Sequence, residues 1–216
     1  MPEVTTSSPE FAATTPVEGA EASTRKRPKP GERRVQILQA LATMLEQPGA
    51  ERVTTAALAA KLDVSEAALY RHFASKAQMF EGLIEFVEQT VFGLVNQINE
   101  RETQPAARLA KTISMLLQFG EKNPGMTRVM VGDALVFENE RLQQRMNQLF
   151  DKLESGFKQS LREAADTAGS ATPSVDAQAR ASVLTAFCIG RLQRFARSGF
   201  KRLPTEHLEV SLAVLL

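Results

Sequence analysis

The stretch from Val53 to Phe80, VTTAALAAKLDVSEAALYRHFASKAQMF, leaves this chain few ways to fold. Thr54 and Thr55 stand where a helix N-cap belongs, and Ala57, Leu58, Ala59 and Leu62 give the helix behind them one small apolar face. Asp63 and Val64 are the only residues left for a turn before Ser65, an N-cap followed by Glu66, whose charge suits the positive end of a new helix. Ala68, Leu69 and Phe73 form the buried side of that second helix, while Tyr70, Arg71 and His72 point away from it; Ser75 then caps a third helix with Lys76 in its first turn. Two short helices joined by so tight a turn make a helix-turn-helix, whose second helix enters the DNA major groove. Double-stranded DNA is therefore the first partner the sequence implies.

The rest of the chain reads as helix. Residues 1 to 30 are rich in Thr, Ser, Pro, Ala and Glu without helical period and are expected to be a disordered tail and arm. From Glu32, the residues Val35, Leu38, Leu41, Ala42 and Leu45 recur at helical spacing, and Pro48 and Gly49 end the pattern. A long helix is expected from about Lys76 to Asn99, leaving the head and entering a body. Another runs from Pro105 to Lys122, broken by NPGM, with a short helix or turn over Thr127 to Phe137. Leu142, Met146, Leu149, Leu153, Phe157 and Leu161 recur at spacings of four, three, four, four and four, which predicts a long coiled-coil-like helix over about 139–166. Helices over Val175 to Phe200 and from Pro204 onward complete an all-α chain. It divides into a tail and arm (1–30), a three-helix head (31–91) and a larger helical dimerisation body (92–216). The body's last two helices carry Val183, Leu184, Phe187, Ile189, Leu192, Phe195, Leu208, Val210, Leu212, Val214, Leu215 and Leu216. A homodimer face is the simplest home for so much apolar surface.

Charge and chemistry narrow the function. The net charge of +1 hides an acidic tail, with Glu3, Glu10, Glu18 and Glu21 and no Lys or Arg before residue 25, followed by the basic run Arg25, Lys26, Arg27, Lys29, Arg33 and Arg34. Beside a helix-turn-helix, such an arm reads as a DNA contact. The lone Cys188 lies in the apolar run VLTAFCIG, so it reads as a core residue in a reducing compartment. No segment has the apolar length of a membrane span or the pattern of a signal peptide, so a cytoplasmic protein is expected. His72 and His207 are the only histidines and are far apart; metal-ligand spacing and phosphate-cradling Gly loops are lacking. Glu138, Glu140 and Glu154 read as solvated helix faces. The expectation is a protein that is not an enzyme and needs no cofactor.

Within the head, Thr54 and Thr55 suit phosphate oxygens as well as capping. Tyr70 and Lys76 reach phosphate through a hydroxyl and a charge, although Tyr70 also suits plain packing. Ser65, Glu66, Ala67 and Arg71 lie near the exposed face of the reader helix. Ala67 is small enough for a thymine methyl, and Arg71 suits guanine or phosphate equally. His72 suits a phosphate or a capping role.

The run Leu69-Tyr70-Arg71-His72-Phe73, then Ser75-Lys76, resembles the strongest local pattern of the TetR family, although Asp63 stands where that family usually has Gly. FGEKNPGMTRV, ALVFENERLQQRMNQLF and FCIGRLQRFARSGFKRLPTEH, all outside the head, are similar to one branch of it, the nucleoid occlusion factors. The likeness covers residues 33 to 216 and leaves out the acidic tail. It implies a dimer on palindromic chromosomal sites that engages FtsZ, the tubulin-like division GTPase, and disrupts its polymers so that no septum forms over the nucleoid. By the same resemblance Phe86, Leu94, Lys122 and Asn123 border the groove that receives the FtsZ C-terminal tail. The alternative is a TetR-type repressor released from its operator by a small molecule, which needs a body cavity with convergent polar groups. The body's Leu, Val, Phe and Met offer few candidates for such groups.

Overall fold

The computed structural model describes residues 31–47 and 52–216. Among these residues there are nine α-helices and no strand: α1 Glu32–Leu45, α2 Thr55–Lys61, α3 Glu66–Tyr70, α4 Lys76–Arg101, α5 Pro105–Lys122, α6 Pro124–Met130, α7 Glu140–Thr167, α8 Pro173–Arg197 and α9 Leu208–Leu215. A 3-10 turn, Asp133–Leu135, lies between α6 and α7. The acidic tail, Arg25 to Pro30, and the Pro48–Gly49 helix stop fall outside the described residues.

The head is α1 to α3 packed on the start of α4. Ile37, Leu41 and Leu45 of α1, Leu58 and Ala59 of α2, Leu69 of α3, Phe73, and Met79, Phe80 and Leu83 of α4 are all buried in the continuous core. The expected phase of α1 needs correction. Val35 is 53% exposed and Ile37 takes the inner position. Arg34, on the same turn, covers part of the core edge, so the apolar stripe begins two residues later than the spacing suggested.

Head and body are not separated by a break. α4 is one helix of 26 residues, and the boundary expected at 91/92 falls inside it. Its buried residues Met79 to Val91 serve both halves. A second seam joins α1 to α6. A Cβ on Gly125 would come 2.2 Å from the Ala42 carbonyl oxygen, so the absence of a side chain there is what lets the two helices meet. Arg128 of α6 reaches across to the carbonyls of Leu45 and Gln47 at 3.3 and 3.4 Å.

Local signals explain the body's helix ends. Pro105, Pro124 and Pro173 each open a helix, where a missing N–H costs nothing. NPGM therefore both stops α5 and starts α6. Asn123 closes α5 by donating its side-chain amide to the Phe119 carbonyl at 2.8 Å. The seam residues Leu142, Met146, Leu149, Leu153, Phe157 and Leu161 are all buried, and left-handed Gly169 ends α7. α7 and α8 then pack as a long hairpin, with α5 across it. α9 begins only at Leu208, because Glu206 still bonds back to Leu203 in a turn and His207 is left-handed (φ 53°).

The apolar content of α8 and α9 divides in two. Leu184, Leu192, Phe195, Leu208 and Leu212 lie in the protomer's own interior, which corrects their assignment to a dimer face. Val183, Val210 and Val214 remain exposed, and Val175 joins them. Phe187, Ile189 and Leu215 are half-buried. Cys188 is fully buried, and burial pushes its thiol up to about 12.

Candidate nucleic-acid interface

The reader assembly is built by side-chain caps. Thr54 Oγ1 accepts from the Ala57 N–H at 3.1 Å and opens α2. Ser65 Oγ accepts from Ala68 N–H at 3.3 Å and opens α3, and Ser75 Oγ accepts from Gln78 N–H at 3.2 Å and opens α4. Asp63 turns the chain between α2 and α3 with φ 53°. This is the left-handed backbone for which Gly is the usual solution and Asp a tolerated one. The substitution preserves the turn.

Ser65, Glu66, Ala67, Tyr70, Arg71 and His72 are exposed around α3, and Thr54 is exposed at the start of α2. Among the described residues, the side chains of Tyr70, Arg71 and His72 have no hydrogen-bond or ion-pair partner. The arrangement offers a hydroxyl and a methyl on α3 and a guanidinium and an imidazole in the turn that ends it, all exposed.

Three residues are placed otherwise than their sequence suggested. Thr55 Oγ1 donates to Glu66 Oε2 at 2.6 Å, so these two brace α2 against α3. Arg34 donates to the His72 carbonyl at 2.8 Å, and its guanidinium stacks 4.0 Å from the centre of the Phe73 ring. The last cation of the basic arm thus fastens α1 to the end of the reader helix. Lys76 turns toward the body and pairs with Glu138; their side chains are 25% and 10% exposed. Glu138 was expected on a solvated face. No periodicity signals this pair, because its partners are 62 positions apart. Of the other two carboxylates so read, Glu140 is exposed and Glu154 is half-buried, accepting from Gln178 at 3.2 Å.

Two further ion pairs join the same helices: Arg141 with Glu81, and Arg145 with Glu88 through two hydrogen bonds, one of 3.0 Å from Nε. The hydrogen bond with Glu88 holds the Arg145 guanidinium above its ordinary pKa. Together with Lys76–Glu138, they tie α4 to the start of α7.

In the body, Phe86 and Leu94 lie on α4, the first exposed and the second half-buried. α5 returns beside α4 after a link of only Glu102, Thr103 and Gln104, so exposed Lys122 and half-buried Asn123 come back roughly level with Phe86. On the α7 side of α4 is a cleft of about 260 Å³ between α4, α5 and α7. Phe92, Leu109, Leu153 and Phe157 line it with apolar surface, and Arg108, Lys152, Thr112 and Ser160 add polar groups. Arg108 pairs with Glu163 and donates to Ser160 Oγ at 3.3 Å. Burial pushes the Glu163 carboxyl up, but hydrogen bonds from Arg108 and Gln159 outweigh it and hold the group below the usual carboxylate range. The body was expected to offer few candidates for converging polar groups, and this cleft supplies some. Arg108 and Thr112 sit one turn apart on α5, and Ser160, 52 positions after Arg108, joins them only when α5 packs on α7.

Family models match both halves of the chain: residues 37–83 match the bacterial regulatory proteins of the tetR family, and residues 103–216 match the SlmA-like tetracyclin repressor-like C-terminal domain. The nucleoid occlusion factor SlmA of Idiomarina loihiensis is 51% identical over 183 residues, covering 85% of this chain and 93% of its own. The chain belongs to the SlmA family of nucleoid occlusion factors. The factor from Aliivibrio fischeri is 51% identical over 189 residues (87% and 96% of the two chains), and that from Vibrio cholerae is 50% identical over 184 (85% and 93%). Solved structures show the same fold at lower identity. The TetR family regulator PfmR of Thermus thermophilus superposes with a TM-score of 0.69 at 18% identity, over 85% of this chain and 95% of its own. FadR of Bacillus subtilis, solved with stearoyl-CoA, superposes at 0.66 and 15%, over 84% and 96%. In this family the helix-turn-helix head is a DNA-binding unit, and among the described residues no helix is long and apolar enough to cross a membrane.

Proposed function

We propose that this chain binds palindromic chromosomal sites as a homodimer and, while bound, engages FtsZ and disrupts its polymers, so that no septum forms over the nucleoid. One observation carries the reading: about half of the aligned residues are shared with nucleoid occlusion factors, over a span that takes in both head and body, although the TetR-type regulators PfmR and FadR share the fold at only 18% and 15%. Thr54, Tyr70 and His72 serve phosphate, Ser65, Ala67 and Arg71 face base edges, and Thr55 and Glu66 hold the reader helix in place by bracing α2 against α3. Phe86, Leu94, Lys122 and Asn123 border the groove for the FtsZ tail. Val175, Val183, Val210 and Val214 supply the dimer contact on α8 and α9. The protein acts by binding and not by catalysis, in the cytoplasm on the nucleoid.

Several bodies carried on one duplex would make weak peptide contacts act together, so FtsZ disassembly should depend on DNA. Co-sedimentation of FtsZ polymers with this protein, with and without operator DNA, tests the reading. Loss of polymer from the pellet is expected chiefly when DNA is present, and Lys122→Glu should weaken peptide binding at unchanged operator affinity. Polymers indifferent to the protein in both conditions would refute it. The cleft between α4, α5 and α7 favours a second reading, a repressor whose operator affinity answers to a small molecule. Its volume lies just below the roughly 300–1,000 Å³ usual for ligand sites. Release from operator DNA by a small molecule, combined with indifferent FtsZ polymers, would put that reading first.

A further inference from the structure

We infer that Glu138 is a positioning residue for the DNA-binding head, holding the Lys76 ammonium against the body in the free protein, and that DNA phosphate competes with it for that ammonium. The inference rests on the proposed DNA-bound function and deepens it, because it makes one ion pair the link between DNA and the body.

Lys76 is the first residue of α4, directly after the Ser75 cap and six positions beyond Tyr70. After Arg71 itself, it is the cation nearest in sequence to the open side chains of Tyr70 and His72. Its charge is not directed at solvent. Among the described residues its ammonium has Glu138 as its only ionic partner and the Phe80 ring 5.7 Å away. A quarter of the side chain remains exposed, enough for a second anion to approach.

The other side of the pair makes the exchange consequential. The Glu138 carboxylate is 10% exposed, and Lys76 is its only ion-pair or hydrogen-bond partner among the described residues. A carboxylate so covered cannot simply remain when its cation leaves; an unpaired charge there is strongly disfavoured, so the group must turn toward water. Its chain segment is able to follow. Ala134 and Leu135 are buried in the core, but the stretch after them is not helical before α7, and the Glu138 N–H bonds only to the Leu135 carbonyl at 3.0 Å. Val136 and Phe137, just before Glu138, are both exposed and anchor nothing. The helices on either side need not move, because Arg141–Glu81 and Arg145–Glu88 hold α7 on α4 independently. The exchange is thus confined to one short segment at the junction of head and body. By linkage, whatever favours release of Glu138 favours DNA, and DNA favours release by the same factor.

The test is a double-mutant cycle on the full chain, using a duplex selected by the wild type from a random-sequence pool. Glu138→Gln should tighten binding roughly five-fold or more, within the usual range for coupled sites, and Lys76→Met should weaken it. In the Lys76→Met background, Glu138→Gln should change affinity little. In wild type, DNA should speed amide exchange across residues 136–139, and in Lys76→Met it should not. An equal gain from Glu138→Gln in both backgrounds would mean plain repulsion between carboxylate and phosphate, and would overturn the inference. So would unchanged exchange on DNA binding. Thermal melts of the three variants identify any that do not fold, and the exchange comparison on wild type stands without them. If the wild type binds no duplex at all, the functional reading fails and this inference with it; binding with an additive cycle sinks the inference alone.

Discussion

Gly125→Ala should loosen the seam that carries the head. The added methyl would sit 2.2 Å from the Ala42 carbonyl oxygen and 3.0 Å from its carbon, whereas ordinary contact begins at 3.4 Å. Because the obstacle is backbone, α1 and α6 must separate by about 1.2 Å. Overpacking of this kind costs about 1–3 kcal/mol. A clash this deep against backbone falls in the upper part of that range, about 2–3 kcal/mol, and replacing a helical glycine returns about 1 kcal/mol, so the net loss is about 1–2 kcal/mol. For a chain of this size that lowers the melting temperature by roughly 2–8 °C. The separation also stretches the Arg128 bonds to Leu45 and Gln47, already 3.3 and 3.4 Å long, while Arg128 Nε is buried without a partner. Duplex affinity should fall too, because α1 holds the end of the reader helix through Arg34. The control is Gly93→Ala on the exposed part of α4, where a Cβ would meet nothing within 4 Å; it should stabilise by about 0.5–1 kcal/mol. Paired calorimetric scans decide the matter. If Gly125→Ala melts at or above the wild type, as the control should, the close approach of α1 and α6 is refuted.

Other perturbations separate the remaining roles. Deleting residues 1–30 should flatten the log–log dependence of duplex affinity on salt, since Arg25, Lys26, Arg27 and Lys29 would no longer displace counterions; an unchanged slope in titrations at several salt concentrations would make the arm a linker. Thr54→Ala and Tyr70→Ala should weaken all sequences about equally, with changes at Ala67 or Arg71 altering base preference. Binding selections from random duplexes would show the opposite pattern if the reader helix were misplaced. Val183→Glu combined with Val214→Glu, at positions 56% and 81% exposed in the protomer, should give a folded monomer by light scattering, and persistence of a dimer would move the contact elsewhere. Leu192→Glu should instead unfold the chain, because Leu192 is fully buried. With its pKa pushed up to about 12 by burial, Cys188 stays a thiol near neutral pH and should resist alkylation until denaturant is added. Mass spectrometry after iodoacetamide treatment would expose a reactive site if it were labelled in the native protein.

Local rules were legible in the chain itself. The caps Thr54, Ser65 and Ser75, the proline that opens α5, and the buried seam of α7 each depend on residues within a few positions of one another. The family likeness added what the caps could not, because SlmA-like segments recur throughout the body. Burial at the ends of the apolar stripes was not legible. Val35 and Ile37 are equally apolar, and only the packing of α1 on α4 and α6 decided which one faces inward. Leu192 and Val183 likewise share a helix and a chemistry, yet one lies in the core and the other in water. The Lys76–Glu138 pair, the Arg34 stack on Phe73 and the Arg108–Ser160–Glu163 cluster required the tertiary structure. Each joins residues far apart in sequence, and a charged side chain carries no mark of whether its partner will be water, a phosphate or another helix.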